Sequence, residues 1–193
     1  MTMETMNCYD VVLTTPVMED GGKLCNREVP PISIVHVSSV LNAENKKVKL
    51  FDLYQTQDTE TTFREKLKNY SATTWGITCD VTDRFQAFRT AAVIKEVYPE
   101  STVVIGGIFA TQAYETILED VPEIDIVVSG EGEHAIVEIL KWCEDGGDLG
   151  EIKGISWRQD GNIIHNESRP YWPRLDELPN PFYDAIDHKL YAN

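Results

Sequence analysis

Thr102-Val103-Val104-Ile105-Gly106-Gly107 decides the fold. Its first four residues are all β-branched, side chains that crowd a helix but pack well on a pleated surface. With no apolar/polar alternation, the run reads as a central strand covered on both faces. Two glycines end it at once, and a helical stretch follows from about Thr111 to Glu119. Strand, glycine turn and helix in that order form the repeating half of a parallel α/β sheet.

The same unit recurs on either side. Tyr9–Thr14 is a short buried strand stopped by Pro16, and the apolar stretch Ile32 to Leu41 is a helix opened by Pro30-Pro31. Lys47–Asp52 and Thr73–Thr78 are the second and third strands, with a helix over Thr61–Tyr70 between them. Asp83 is placed to cap the next helix, which Pro99 ends. Ile124–Val128 is the fifth strand, and a helix from His134 to Glu144 carries Ile136, Ile139, Leu140 and Cys143 on one face. Right-handed crossovers put helices on both faces. The prediction is a doubly wound, flavodoxin-like or Rossmann-like five-stranded parallel sheet in the order 2-1-3-4-5, with no antiparallel strand inside it.

The alternation stops at Gly146-Gly147. Ile155-Ser156-Trp157 and Ile163-Ile164-His165 flank Asp160-Gly161-Asn162, a hairpin signal. From Arg169 onward the chain is rich in proline and aromatics, which suits an extended strap lying on a surface; Trp172, Leu175, Leu178 and Phe182 are too apolar for a free tail. The expected division is an α/β domain over 1–146, then hairpin and strap over 147–193.

The chain of 193 residues has 17 Lys and Arg against 32 Asp and Glu, a formal charge of −15. Such a field repels phosphate backbones and anionic lipid, so neither nucleic acid nor membrane is expected as a partner. No apolar run approaches the roughly 20 residues of a membrane span, and the start has no secretory pattern, so a cytoplasmic location is expected. Cys8, Cys25, Cys79 and Cys143 form no C-x-x-C pair and read as isolated reduced thiols. His36, His134, His165 and His188 show no metal-binding spacing.

In an open α/β sheet, ligands bind beyond the carboxyl ends of the strands. Thr15, Pro16 and the loop with Gly21-Gly22 follow the first strand. Thr78, Cys79, Asp80, Val81 and Thr82 follow the third, and Gly106, Gly107, Ile108 and Phe109 the fourth. Ser129, Gly130, Glu131, Gly132 and Glu133 follow the fifth. Three of the four loops hold paired or near-paired glycines, which let a ligand approach the backbone. Gly130 to Ala135 matches G-x-G-x-x-A, but a dinucleotide fingerprint belongs after the first strand, and Glu131 and Glu133 would repel a pyrophosphate. Asp80 stands where a phospho-accepting receiver domain keeps its aspartate; the acidic pair and the lysine such a domain needs are replaced by Leu13-Thr14-Thr15 and Ser129-Gly130. No catalytic residue set emerges.

GGIFAT (Gly106–Thr111), SGEGE (Ser129–Glu133) and RLDELPNPFYD (Arg174–Asp184), in that order, resemble the cobalamin-binding domain at the front of B12-dependent radical SAM enzymes. The resemblance runs from the first strand to Tyr191. It implies a corrin ring over the strand ends, with the nucleotide tail entering the sheet edge beside strands 4 and 5. Gly106 and Gly107 would make room for that tail, Gly130 to Glu133 would line it, and Thr78 and Thr82 would hydrogen-bond to it or to corrin amides. A side chain at Gly107 would then block binding and spare the fold.

Two motifs are missing. Without D-x-H-x-x-G, cobalt ligation free of protein histidine is expected. Without C-x-x-x-C-x-x-C, the 4Fe-4S cluster and S-adenosylmethionine are expected only in a radical SAM domain beyond this chain, which would be its partner. The chain would then be the front of a longer enzyme of methyl transfer or related radical chemistry. Two alternatives stay open: a cobalamin-free domain recognising substrate or partner, and an unrelated flavodoxin-like domain holding a flavin.

Overall fold

The computed structural model describes residues 6–19, 30–171, 176, 178–181, 185, 186, 189 and 191. Strands β1 (Asn7–Thr14), β2 (Val48–Phe51), β3 (Tyr70–Thr78), β4 (Thr102–Gly106) and β5 (Ile126–Val128) pair in parallel in the order β2-β1-β3-β4-β5. The predicted topology and all five strands are present. Helices α1 (Ile32–Ala43), α2 (Glu60–Leu67), α3 (Arg84–Val97), α4 (Ile108–Asp120) and α5 (Glu133–Asp145) connect or follow them.

Period-two alternation along the strands sorts the core into two layers. Val12, Trp75, Val103 and Ile105 face the layer of α2, α3 and α4, with Phe63, Leu67, Ile94 and Ile117. Val11, Leu13, Val104 and Val128 face the layer of α1 and α5, with Ile34, Val35, Ile136 and Ile139. A one-residue slip of β4 would exchange the two sets, so burial on both faces holds its register.

The predicted hairpin, β6 (Ile155–Gln159) and β7 (Asn162–His165), turns at Asp160-Gly161 with positive φ at both residues. It joins the sheet: β6 pairs antiparallel with β5, so the expected five-stranded, all-parallel sheet with a separate hairpin is corrected to a mostly parallel sheet of seven strands, because the hairpin covers the edge that β5 would otherwise leave unpaired. Arg158 helps fix the junction. Its guanidinium donates to the carbonyls of Leu118, Val121 and Ile124, each at 2.7 Å, tying β6 to the last turn of α4 and to the loop that follows it.

Boundaries shift where tertiary contacts intervene. Tyr70, read as helix, begins β3, because its ring packs edge-on against Phe51 at 5.0 Å and pairs it with Asn7. Helix α4 starts at Ile108, three residues early, because Gly107 at φ 110° turns the chain immediately. Among the described strap residues, Ile186 is buried and Leu178 half-buried; Trp172, Leu175, Phe182 and the Gly21-Gly22 loop lie outside the described residues. No helix among the described residues is long and apolar enough to cross a membrane.

Candidate functional site

A cleft of about 190 Å³ opens at the carboxyl ends of the parallel strands, between the first turns of α1 and α5. Its floor is Leu13, Gly76, Val104 and Gly106, one residue from each of β1 and β3 and two from β4. Ser33 and Val37 of α1 form one wall; Gly130, Gly132, Glu133 and Ile136 form the other. Two larger hollows of about 690 and 560 Å³ lie around Pro99, Glu100 and Trp142 at the opposite ends of the strands. Those hollows are open surface without the glycine-shaped floor, so the smaller cleft is the stronger candidate.

Glycines carve this floor. A Cβ on Gly76 would sit 2.7 Å from the Leu13 side chain, and one on Gly106 would sit 3.7 Å from Val128 Cβ. Gly106 lacks positive φ, so its missing side chain is a matter of space and not of backbone strain. Gly107 differs. A Cβ there would lie 2.5 Å from the Cys79 carbonyl oxygen, at a φ that L residues rarely adopt. The Cys79 N–H donates to the Gly106 carbonyl at 2.8 Å, which draws the two loops together. Gly107 is therefore demanded by the turn itself, and the expectation that a side chain there spares the fold is corrected.

The hydroxyls around the cleft divide by role. Ser33 Oγ and Thr78 Oγ1 stand 3.5 Å apart, linking the start of α1 to the end of β3. Thr111 Oγ1 accepts from the Gly130 N–H at 3.0 Å and donates to the Gly107 carbonyl at 2.9 Å, tying the two glycine turns together. Ser129, between the cleft residues Val128 and Gly130, has a buried hydroxyl with no hydrogen-bond partner among the described residues. A buried hydroxyl without a partner carries a desolvation cost that a polar ligand atom can offset.

Thr78, Gly106, Gly107, Gly130, Glu131, Gly132 and Glu133 from the sequence reading all line the cleft. Thr15 and Pro16 do not; both are buried, and the Thr15 hydroxyl accepts from the Leu53 N–H at 2.8 Å and donates to Asp52 at 3.3 Å. Asp80 and Thr82 are exposed, and the Asp80 carboxylate accepts from the Val81 N–H at 2.6 Å. Phe109 packs on the other layer, beside Phe88. Ile108 is 66% exposed and, with Val81 at 48% and Phe85 at 58%, leaves an apolar rim on the loops at this end of the sheet. Sequence reasoning missed Leu13, Ser33, Val37, Gly76, Thr111 and Ile136. Gly76, inside a strand pattern, was the legible signal, since a strand glycine marks close approach.

Among the described residues the cleft lining holds the carboxylates of Glu131 and Glu133 but no thiol and no imidazole. The Cys79 thiol is pushed up to about 12, first by burial and then by the charges of Asp83 and Asp80, so it stays protonated at neutral pH. No cluster of three His, Cys, Asp or Glu among the described residues could hold a metal ion. His36, His134 and His165 lie outside the cleft lining, and His188 lies outside the described residues. The geometry defines a binding domain, a parallel α/β sheet with a glycine-floored apolar slot at its strand ends.

Residues 25–140 match the B12 binding domain family, and the chain belongs to that family. It is 27% identical over 187 residues to the uncharacterized methyltransferase PH0819 of Pyrococcus horikoshii, covering 96% of this chain and 40% of that protein. It is 28% identical over 186 residues to the anaerobic magnesium-protoporphyrin IX monomethyl ester cyclase of Rubrivivax gelatinosus, covering 94% of this chain and 33% of that one. The chain thus spans two fifths and one third of these relatives. In fold it is similar to the cobalamin-dependent S-adenosylmethionine radical enzyme OxsB with aqua-cobalamin and S-adenosylmethionine bound (TM-score 0.67, 21% identity, 86% of this chain and 22% of that one). It is also similar to the radical S-adenosylmethionine methyltransferase TsrM of Kitasatospora setae with cobalamin and a [4Fe-4S] cluster bound (TM-score 0.64, 22% identity, 92% of this chain and 32% of that one).

Proposed function

We propose that this chain is the cobalamin-binding module of a B12-dependent radical SAM enzyme, with residues 147–193 leading toward the radical SAM domain that would be its partner. The observation that carries the reading is the glycine-floored cleft, in a chain of the B12 binding domain family. Pockets for whole drug-sized ligands run from roughly 300 Å³ upward. A cleft of about 190 Å³ therefore suits one arm of a large ligand, here the nucleotide tail, with the macrocycle outside.

The residues present fit that ligand. Gly106 leaves floor space that a side chain would fill, Gly76 lets the Leu13 side chain lie against β3, and Leu13, Val104 and Ile136 offer an apolar lining for a flat heteroaromatic group. The Ser129 hydroxyl and Thr78 supply polar contacts. The first backbone N–H groups of α5 lack intrahelical partners and offer donors to neutral polar atoms of the tail, while Glu131 and Glu133 disfavour a phosphate at that turn. Val81, Phe85 and Ile108, all exposed, would offer the corrin apolar surface from which water is displaced. Cobalamin supplies the cobalt-centred methyl-transfer or radical chemistry; these residues bind it, orient it and shield it. The S-adenosylmethionine and 4Fe-4S sites belong, in this reading, to the radical SAM domain.

Titration with hydroxocobalamin, followed by absorbance after gel filtration, tests the reading. Stoichiometric retention of corrin absorbance is expected. No retention, with the protein folded, would favour a cobalamin-free recognition domain; retention of flavin instead would favour the unrelated reading.

A further inference from the structure

Strand register sets the cleft floor in two rows. Leu13, Gly76 and Val104 are direct partners on β1, β3 and β4 and form an inner row. Thr78 and Gly106, two residues further along β3 and β4, pair with each other in an outer row, nearer the strand ends. Residues two apart on a strand share a face, so both rows look toward α1 and α5. Burial divides the lining in the same way. Leu13, Ile34, Val104, Val128 and Ile136 are buried, none above 5% exposed. The polar side chains of the lining belong to Ser33, Thr78, Glu131 and Glu133, which are half-buried or exposed. Parallel pairing on both sides of Gly76 takes up the backbone of the inner row. The cleft therefore has a polar mouth and an inner end without a hydrogen-bonding side chain.

We propose that this inner end selects the base of the corrinoid it takes, preferring a cobamide with an apolar benzimidazole base to one with a purine. The inference rests on the cobalamin reading and deepens it. The base hangs from its ribose through the five-membered ring, so the six-membered ring enters first. In dimethylbenzimidazole that ring carries methyl groups and no heteroatom; in adenine it carries an amine and ring nitrogens. Each methyl placed against Leu13, Val104 and Ile136 leaves water for apolar surface, worth about fourfold in affinity. An amine or ring nitrogen in the same place leaves water and finds no partner, which costs about tenfold or more. The sugar hydroxyls stay at the mouth, where Ser33, Thr78 and the two glutamates offer hydrogen-bond partners.

Three corrinoids test this on the parent protein: hydroxocobalamin, the aqua form of the cobamide whose base is adenine, and cobinamide, which lacks the nucleotide tail. In equilibrium titrations followed by absorbance, hydroxocobalamin should bind about tenfold tighter than the adenine cobamide or better, and tighter than cobinamide. Val104→Thr puts a hydroxyl into the inner row at nearly constant volume. It should shrink the ratio between the two cobamides several-fold, with far-ultraviolet circular dichroism unchanged. Equal affinity for the two cobamides would overturn the preference and leave the cofactor reading standing. Hydroxocobalamin bound no tighter than cobinamide would take the base out of the cleft and overturn the inference as well. An unchanged ratio in folded Val104→Thr would remove the inner row as its cause. Retention of no corrinoid would sink the cofactor reading, and the free bases would then decide the chemistry of the inner end. Dimethylbenzimidazole should shift the methyl resonances of Leu13, Val104 and Ile136 at concentrations where adenine does not; the reverse order, or no shift with either base, would overturn the inference.

Discussion

The Thr111 hydroxyl holds the Gly130 N–H at 3.0 Å, joining the turn after β4 to the turn after β5 across the end of the cleft. Its own proton goes to the Gly107 carbonyl, so one side chain fixes the spacing of both glycine turns. Thr111→Val keeps the shape and loses both hydrogen bonds. It should cost about 1–2 kcal/mol of stability and weaken hydroxocobalamin binding several-fold, because the α5 wall is no longer positioned. Thermal unfolding and equilibrium titration read the two effects; Thr111→Ser should restore both.

The two adjacent glycines should respond oppositely. Gly106 has ordinary backbone geometry, and a Cβ there would meet Val128 only at an ordinary contact distance of 3.7 Å, so Gly106→Val fills the cleft without straining the turn. Binding should be lost and the unfolding midpoint nearly kept. Gly107→Ala meets the Cys79 carbonyl in a disfavoured conformation, so it should destabilise by roughly 1–3 kcal/mol before any ligand is added. Circular dichroism melts and absorbance titration on both variants separate space from strain. Equal loss of stability in the two would show that Gly106 is also a backbone requirement.

The contrast explains how much was legible beforehand. The β-branched run at Val103–Ile105, the glycine turns and the spacing of the helices are local signals, and they specify five parallel strands in the observed order. The hairpin was legible from Asp160-Gly161, but not its pairing with β5, which depends on burying Ile155 and Trp157 against α5 and on Arg158 reaching the end of α4. Seven of the site residues named from the loops line the cleft because position after a parallel strand is itself a local property. Thr15 was misplaced for a tertiary reason, since its hydroxyl serves Leu53 and Asp52 across the β1 and β2 ends. Ser33, Val37 and Ile136 were invisible because they reach the cleft only once α1 and α5 pack on the same face of the sheet.

Cys79 offers a check on the burial of the β3 loop. Burial and the neighbouring Asp83 and Asp80 raise its pKa to about 12 from 9.0. A group whose folded pKa lies above its unfolded value contributes stability that is whole below the unfolded pKa and is lost as pH climbs through the folded one. Stability should therefore decline from about pH 9 toward 12 in the parent, and Cys79→Ala should flatten that part of the profile. At pH 8 the native thiol should resist iodoacetamide, with peptide mass spectrometry showing label at the exposed Cys8 well before Cys79. Fast labelling of Cys79 in folded protein would place the loop in solvent.

The histidines test how cobalt would be held. His36 and His134 sit on α1 and α5 outside the cleft lining, and His165 lies on β7, where its Nδ1 is 2.7 Å from the buried Ser156 hydroxyl and its ring stacks on Tyr114 at 4.3 Å. None of these three stands on a loop at the carboxyl ends of β1, β3 or β4, where Val81 and Ile108 present apolar surface instead. His165 would have to unstack from Tyr114 and leave the Ser156 hydroxyl to reach a metal over that rim. Single replacement of His36, His134, His165 and His188 should leave the absorbance spectrum of the bound corrin unchanged. Reduction to Co(II) should give a paramagnetic resonance signal without nitrogen superhyperfine splitting from a protein imidazole. Splitting that disappears in one histidine variant would identify that residue as a ligand and require the loops around β3 and β4 to open on binding.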